Sequence, residues 1–197
     1  MNIFYIARHG ETENNRAGRL SGWIDTPLTE NGLVPTKAAI EKLKKVPTFD
    51  AVYASDLGRA FITAYEISRG LGLTEQRIIR LPGLREVNYG DAANMLRDDA
   101  YKLYPQLDRD THYVMPNGES LDQMQRRAVS TVVELDGQHT DATLLLVAHS
   151  GVMAALNASY QGKDFGAHNI SEAYAHDYIG TFTVEDGAIA SFQEFRG

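Results

Sequence analysis

The chain contains no cysteine, which excludes disulfides, thiolate metal sites and cysteine nucleophiles together. It is also short of positive charge: 19 lysines and arginines against 26 aspartates and glutamates leave a net charge of −7. Binding to a phosphate backbone wants a basic surface, so no nucleic-acid partner is expected. An anionic small molecule is still allowed, because a few arginines can build a local positive pocket on an acidic protein. No apolar run approaches the roughly 20 residues that a membrane helix needs, and no membrane partner is expected. The opening stretch Met1–Ala7 turns charged too soon to be the apolar core of a signal peptide. Internal repeats, linkers and low-complexity tracts are missing as well. The expectation is one domain spanning residues 1–197 and a cytoplasmic location.

What is present reads as strands alternating with helices. Ile3–Ala7 and Ala51–Ala54 are short apolar runs rich in β-branched and aromatic residues, and Ile78–Leu81 is a weaker third. Thr143–Ala148 is continuous Leu and Val, as expected of a strand with both faces covered. Thr29 is expected to cap a helix reaching Lys45, with Pro35 kinking or delaying it. Asp56 should cap a second helix that runs to about Gly70. A polar helix follows near Ala93–Leu103, and a long one capped by Asn117 or Ser120 reaches about Leu135. The last helix spans Gly151–Tyr160, and Tyr174–Val184 with Ala188–Phe195 forms a hairpin around Asp186-Gly187. This order predicts an α/β three-layer sandwich, with a mostly parallel central sheet flanked by helices and an edge hairpin.

Two of the strands stop at histidines. The first ends in Arg8-His9-Gly10-Glu11-Thr12 and the strongest one in Ala148-His149-Ser150-Gly151. Ligands of parallel α/β sheets bind outside the carboxyl ends of the strands, so both histidines should face one crevice. A lone histidine at a strand end is more often structural; two such tips, one of them preceded by arginine, point to a site. Arg59 lies about one turn into the helix after the second strand. With Arg8 it would form the planar fork that guanidinium offers to phosphate oxygens. In the loop Leu84-Arg85-Glu86 a carboxyl beside a phosphate is favoured in its protonated form and can donate a proton. The plainer alternative pairs Glu86 with Arg85 at the surface.

These blocks resemble the histidine phosphatase superfamily, which includes the cofactor-dependent phosphoglycerate mutases. The resemblance rests on Arg8-His9-Gly10-Glu11-Thr12 with Asn15, on Ser55-Asp56-Leu57-Gly58-Arg59-Ala60, on Leu84-Arg85-Glu86 and on His149-Ser150-Gly151, in the family's order. Pro116-Asn117-Gly118-Glu119-Ser120 is similar to a further block of the family. The resemblance implies a phosphoglycerate mutase-like fold and a phosphohistidine intermediate on His9. It further implies that Arg8, Arg59 and His149 hold phosphate oxygens, that Glu86 protonates the leaving oxygen, and that Asn15 adds a neutral hydrogen bond. Ser21, Gly22, Tyr89 and Ser150 are expected around the substrate. Neither a metal nor another cofactor is expected, and Glu11 is assigned structural work. His9 should be neutral and His149 a cation beside the phosphate, which implies a rate optimum on the mildly acidic to neutral side.

The resemblance covers two activities, distinguished by whether water or a substrate hydroxyl takes the phosphoryl group from His9. Mutases similar to this chain carry a paired arginine after the Glu-bearing loop. Between Tyr89 and Pro116 only Arg97 and Arg109 occur, and they are not adjacent. The chain also ends at Gly197 without a long tail, and both departures favour a phosphatase of broad, acid type acting on a small phosphorylated metabolite. The mutase alternative draws on Arg16, Arg19, Ser21-Gly22-Trp23 and Tyr89, which are similar to a mutase approach loop. Arg126-Arg127 lies on the long helix and reads as a solvated face. The natural substrate and the oligomeric state are not legible.

Overall fold

A computed structural model describes residues 1–73, 77–166 and 174–197. Among them, six strands form one sheet in the order β3-β2-β4-β1-β5-β6. These are β1 (Ile3–Arg8), β2 (Ala51–Ala54), β3 (Ile78–Arg80), β4 (Thr143–Ala148), β5 (Ile179–Glu185) and β6 (Ala188–Glu194). The first four run parallel, while β5 pairs antiparallel with β1 and with β6. The helices are α1 (Glu13–Arg16), α2 (Val34–Leu43), α3 (Gly58–Gly70), α4 (Arg97–Leu103), α5 (Leu121–Gln138) and α6 (Ser150–Tyr160). The architecture is the α/β fold expected, mostly parallel and flanked by helices.

The alternation of side chains along β4 makes the three layers. Leu144, Leu146 and Ala148 pack with Phe4 and Ile6 against Met124, Ala128 and Val132 of α5 and Val152 of α6. Leu145 and Val147 point the other way, into Ala39, Ile40 and Leu43 of α2 and Ala60, Ala64 and Ile67 of α3. A strand covered on both sides has no reason to alternate polar and apolar residues, and β4 does not. The helical apolar positions recur at three- and four-residue spacing, which is what one buried stripe requires.

Some boundaries differ from the sequence reading. Helix α2 starts at Val34, not at Thr29, with Pro35 in its first turn where a missing N–H costs nothing. Thr29 instead ties two loops together, its hydroxyl donating to Glu11 Oε1 at 2.9 Å and its amide to the Glu11 carbonyl at 2.9 Å. Leu57, not Asp56, flanks the start of α3. The carboxylate that takes the first amides of that helix comes from Asp25, which accepts from Gly58 N and Arg59 N. Ser120, one of the two expected candidates, caps α5 in a reciprocal box with Gln123. The turn Asp186-Gly187 has φ of 50° and 75°, the left-handed pair that a two-residue hairpin demands. No helix among the described residues is long and apolar enough to cross a membrane.

Candidate active site

Strand register builds the centre of the site. Arg8 stands opposite Ala148 and Ala54 opposite Val147, so the residues that follow each strand emerge side by side. His9 N donates to the Ala148 carbonyl at 3.0 Å and Ser55 N to the Val147 carbonyl at 2.9 Å. His9 and His149 therefore meet, with ring centroids 5.0 Å apart. The loop beyond β1 then passes so close to residues 29–32 that a Cβ on Gly10 would lie 2.3 Å from the Gly32 carbonyl oxygen. Only glycine allows the chain to leave the strand there.

Hydrogen bonds fix the imidazoles. His9 Nδ1 lies 2.7 Å from the Gly10 carbonyl oxygen. A carbonyl only accepts, so the ring proton sits on Nδ1 and Nε2 keeps a free lone pair. His149 Nε2 is 2.9 Å from Ser55 Oγ. Leu57 N donates to that oxygen at 3.4 Å, which leaves the serine proton free to go to Nε2. The proton of the His149 ring then belongs on Nδ1, which is buried with no partner among the described residues.

Around the pair lies a cavity of about 490 Å3, its mouth included, lined by residues that include Arg8, His9, Asn15, Ser21, Gly22, Arg59, Glu86, Tyr89 and Ser150. Every substrate-binding residue expected from the sequence except His149 is on that wall. His149 stands behind it, fully buried. Arg19, Leu20, Arg97 and Gly151 complete the lining. Arg16 does not reach it: its guanidinium pairs with Glu13 on the surface. Arg109 is exposed and absent from the wall.

Among the described residues, several polar atoms on this wall, and one on His149 behind it, have no hydrogen-bond partner. Arg8 Nε, Arg59 Nε, Ser21 Oγ and His149 Nδ1 are all buried without a hydrogen-bond partner among the described residues. A buried donor left unpaired costs about 1–3 kcal/mol, and four around one cavity call for an acceptor-rich ligand. Arg59 is otherwise well held, donating to the Gly22 carbonyl at 2.7 Å and the Ile24 carbonyl at 3.0 Å. Arg8 donates to the Tyr174 carbonyl. Asn15 spends its side-chain oxygen on the start of α1, accepting from Thr12 N at 3.1 Å and Thr12 Oγ1 at 3.0 Å.

Glu86 does not pair with Arg85. Arg85 forms a bidentate pair with Asp56, Nε to Oδ1 at 2.7 Å, and that pairing lowers the Asp56 pKa. The Glu86 carboxyl instead accepts from Val87 N at 2.9 Å and from Gly151 N, in the first turn of α6, at 3.1 Å. The two elements carrying Glu86 and His149 are thus clipped together. Beside them Tyr89 is kept a neutral phenol, burial and then the Glu86 charge raising its pKa well above the usual value.

The electrostatics of the protein's own groups favour neutral imidazoles. Burial first, and then the Arg59 charge, push His149 well below the ordinary imidazole pKa, and His9 is lowered in the same way. The protein's own groups therefore make both rings neutral rather than splitting them. An opposite charge supplied by a phosphate dianion is what would raise His149. Arg8 is lowered to about 10, mainly by burial, and stays a cation at neutral pH.

Three residues at the site were not anticipated. His176 Nδ1 lies 2.6 Å from the His9 carbonyl oxygen, and its ring centroid is 5.7 Å from that of His9. Asp25 organises the start of α3. Arg127, read as a solvated residue, sits beneath the Glu86 loop; only Arg126 is exposed, pairing with Asp122. No short motif marks any of them, because each acts through backbone atoms distant in sequence. No group of three or more His, Asp or Glu side chains among the described residues is placed to hold a metal ion.

Known proteins share this fold. Residues 4–189 match the histidine phosphatase superfamily (branch 1). A metal-independent phosphoserine phosphatase of Arabidopsis thaliana is 32% identical over 158 residues, covering 77% of this chain. The chain spans 65% of that protein's length. A 2,3-bisphosphoglycerate-dependent phosphoglycerate mutase of Mesorhizobium japonicum is 32% identical over 166 residues, covering 80% of this chain and 81% of the mutase. The solved structure of Bacillus stearothermophilus YhfR superposes with a TM-score of 0.83 at 29% identity, covering 96% of this chain and 94% of that one. With phosphatases and mutases alike among its relatives, and the paired histidines at adjacent strand ends, the chain belongs to branch 1 of the histidine phosphatase superfamily.

Proposed function

We propose that the protein is a metal-independent phosphatase that hydrolyses small phosphomonoesters through a phosphohistidine on His9. The observation that carries this reading is the set of buried donors without a partner among the described residues, Arg8 Nε, Arg59 Nε and Ser21 Oγ on the cavity wall that His9 shares and His149 Nδ1 behind it. His9 Nε2, the nitrogen with the free lone pair, attacks phosphorus as the ester P–O bond breaks. The guanidiniums and His149 stabilise the charge spread over the equatorial oxygens. Glu86, protonated beside the bound phosphate, gives its proton to the leaving oxygen. In the second step the carboxylate takes a proton from water, which attacks the phosphohistidine and releases inorganic phosphate and neutral His9. The positive charge for this chemistry comes from side chains, so no metal or other cofactor is required. A small phosphorylated metabolite suits the cluster of Arg8, Arg59 and His9 on the cavity wall.

A mutase is the second reading, and Arg19 and Arg97 on the cavity wall are what favour it. Two further cations could hold a second anionic group of a phosphoglycerate. Against it, the wall carries no adjacent arginine pair.

The test incubates the protein in EDTA with p-nitrophenyl phosphate, and separately with 3-phosphoglycerate plus a trace of 2,3-bisphosphoglycerate, with His9→Ala as control. Phosphate release that survives EDTA and disappears with His9 supports the phosphatase. Rapid appearance of 2-phosphoglycerate with little free phosphate makes the protein a mutase. Neither product from the folded protein refutes both readings.

A further inference from the structure

We propose that Arg127 is a positioning residue that holds Glu86 in its proton-donating place. This rests on the proposed role of Glu86 and goes beyond it. Arg127 stands on α5, in the layer behind the loop, and its guanidinium is divided between that loop's backbone and the carboxylate of Glu119. Nη1 donates to the Gly83 carbonyl at 2.9 Å and the Arg85 carbonyl at 3.0 Å. Nη2 donates to the carbonyl of Glu86 itself at 3.3 Å. The same guanidinium grips Glu119, Nη2 to Oε1 at 2.7 Å and Nε to Oε2 at 3.3 Å. Glu119 Oε1 in turn accepts from Asn88 N at 2.9 Å. One cation and its partner therefore fasten residues 83–88 on both sides of Glu86.

Such an arrangement suits positioning. Residues 85–88 form no helix or strand, so their carbonyls and amides find few partners of their own. A planar fork can satisfy several divergent carbonyls at fixed angles, which an ammonium cannot do. The Glu86 carbonyl also accepts from Trp23 Nε1 at 2.7 Å, and the Trp23 ring lies under Arg85, whose guanidinium carbon is 4.5 Å from the ring centroid. Proton donation falls off when the donor is misplaced by about an ångström. The peptide that carries Glu86 is held at its oxygen from two directions, and Arg127 supplies one of them from outside the substrate cavity.

A positioning role makes a prediction that simple stabilisation does not. An ester whose leaving group departs as a stable anion needs no proton, whereas an alkyl ester does. Steady-state kcat/KM is measured for the wild type, Glu86→Gln, Arg127→Met, Arg127→Lys and Glu119→Gln, on p-nitrophenyl phosphate and on a simple alkyl phosphate, with each variant's Tm. Glu86→Gln should lose about 100-fold more on the alkyl ester than on the aryl ester, a general acid being worth roughly 10²–10⁴. Arg127→Met should lose at least about tenfold more on the alkyl ester, with Arg127→Lys recovering part of it. Glu119→Gln, which keeps the packing, should shift the ratio in the same direction if Arg127→Met is too unstable to purify. An equal loss on both esters in Arg127→Met and Glu119→Gln overturns the positioning role. Equal losses in Glu86→Gln instead overturn the reading of Glu86 itself.

Discussion

The Glu86 carboxyl lies against the Cα of Gly151, so close that a Cβ there would come within 2.0 Å of Glu86 Oε1. The contact is the counterpart of the hydrogen bond from Gly151 N to Glu86 Oε2. Helix α6 begins at Ser150, and its first amides offer partial positive charge to the carboxylate. Gly151 thus serves two purposes. It leaves room for Glu86, and it aims an amide at it.

Gly151→Ala should therefore displace Glu86 while sparing the fold. The atom that must move is the end of a side chain rather than backbone, so the stability cost stays near 1 kcal/mol, at the low end for overpacking. Turnover of alkyl phosphates should fall about 10- to 100-fold through loss of the acid, and that of p-nitrophenyl phosphate much less. Thermal unfolding and kinetics on the two esters check this. A full-rate variant would show that Glu86 works from another position.

The fold and the centre of the site were legible for different reasons. Layering came from residues such as Leu144–Val147, whose unbroken apolar run admits few structures other than a strand covered on both sides. Arg8, His9, Glu86 and His149 were legible because they sit in short blocks at strand ends, where chemistry concentrates in such sheets. What stayed hidden acts across sequence. Arg127 and Glu86 are 41 residues apart, and nothing local in Gln125-Arg126-Arg127 tells which arginine turns inward. Thr29 and Asp56 were misread as caps because Ser, Thr and Asp satisfy loop amides and arginines equally well. The neutral state of His149 without a bound phosphate was not legible because burial is a property of the folded protein, and burial is the largest cause of its shift.

The buried imidazoles should make the fold acid-sensitive. His9 and His149 are 3% and 0% exposed, and both are held below the ordinary value of 6.5. A histidine lowered in the folded state binds its proton more readily after unfolding. Its contribution is complete above pH 6.5 and is lost as pH falls from 6.5 toward the folded pKa. Each such ring lowers stability by up to about 1.4 kcal/mol per pH unit in that window. Urea midpoints between pH 8 and pH 5 should fall more steeply for the wild type than for His149→Gln. Parallel curves would mean that His149 takes up its proton without unfolding.

The same lowering of His9 shapes the rate. The nucleophile must be neutral, and the Arg59 and Arg8 charges add to burial in keeping it so. The acid limb of kcat/KM that belongs to His9 should lie below pH 6.5, leaving activity intact at mildly acidic pH. Replacing Arg59 by Gln removes one of those charges and should move the limb toward higher pH, besides lowering the rate. An acid limb at 6.5 in the wild type, unmoved by Arg59→Gln, would refute the electrostatic account.

The arginines at the centre impose a cost that function explains and stability does not. Arg8 is lowered from 12.5 to about 10, burial being the largest cause, partly offset by attraction to Glu86 and reinforced by repulsion from Arg97 and Arg59. At about 1.4 kcal/mol for each tenfold change, holding it as a cation costs the fold roughly 3 kcal/mol. Its donation to the Tyr174 carbonyl returns only about 1–2 kcal/mol. Arg8→Met keeps most of the stem and drops the charge, so it should raise stability by about 1–2 kcal/mol. Phosphatase activity should fall by at least about 100-fold, because a donor to the transition-state charge is gone. Urea denaturation followed through Trp23 fluorescence, with rates on p-nitrophenyl phosphate, measures both. A variant that is inactive and also less stable would mean that the attraction to Glu86 and the hydrogen bond to the Tyr174 carbonyl outweigh burial, making Arg8 a structural residue as much as a functional one.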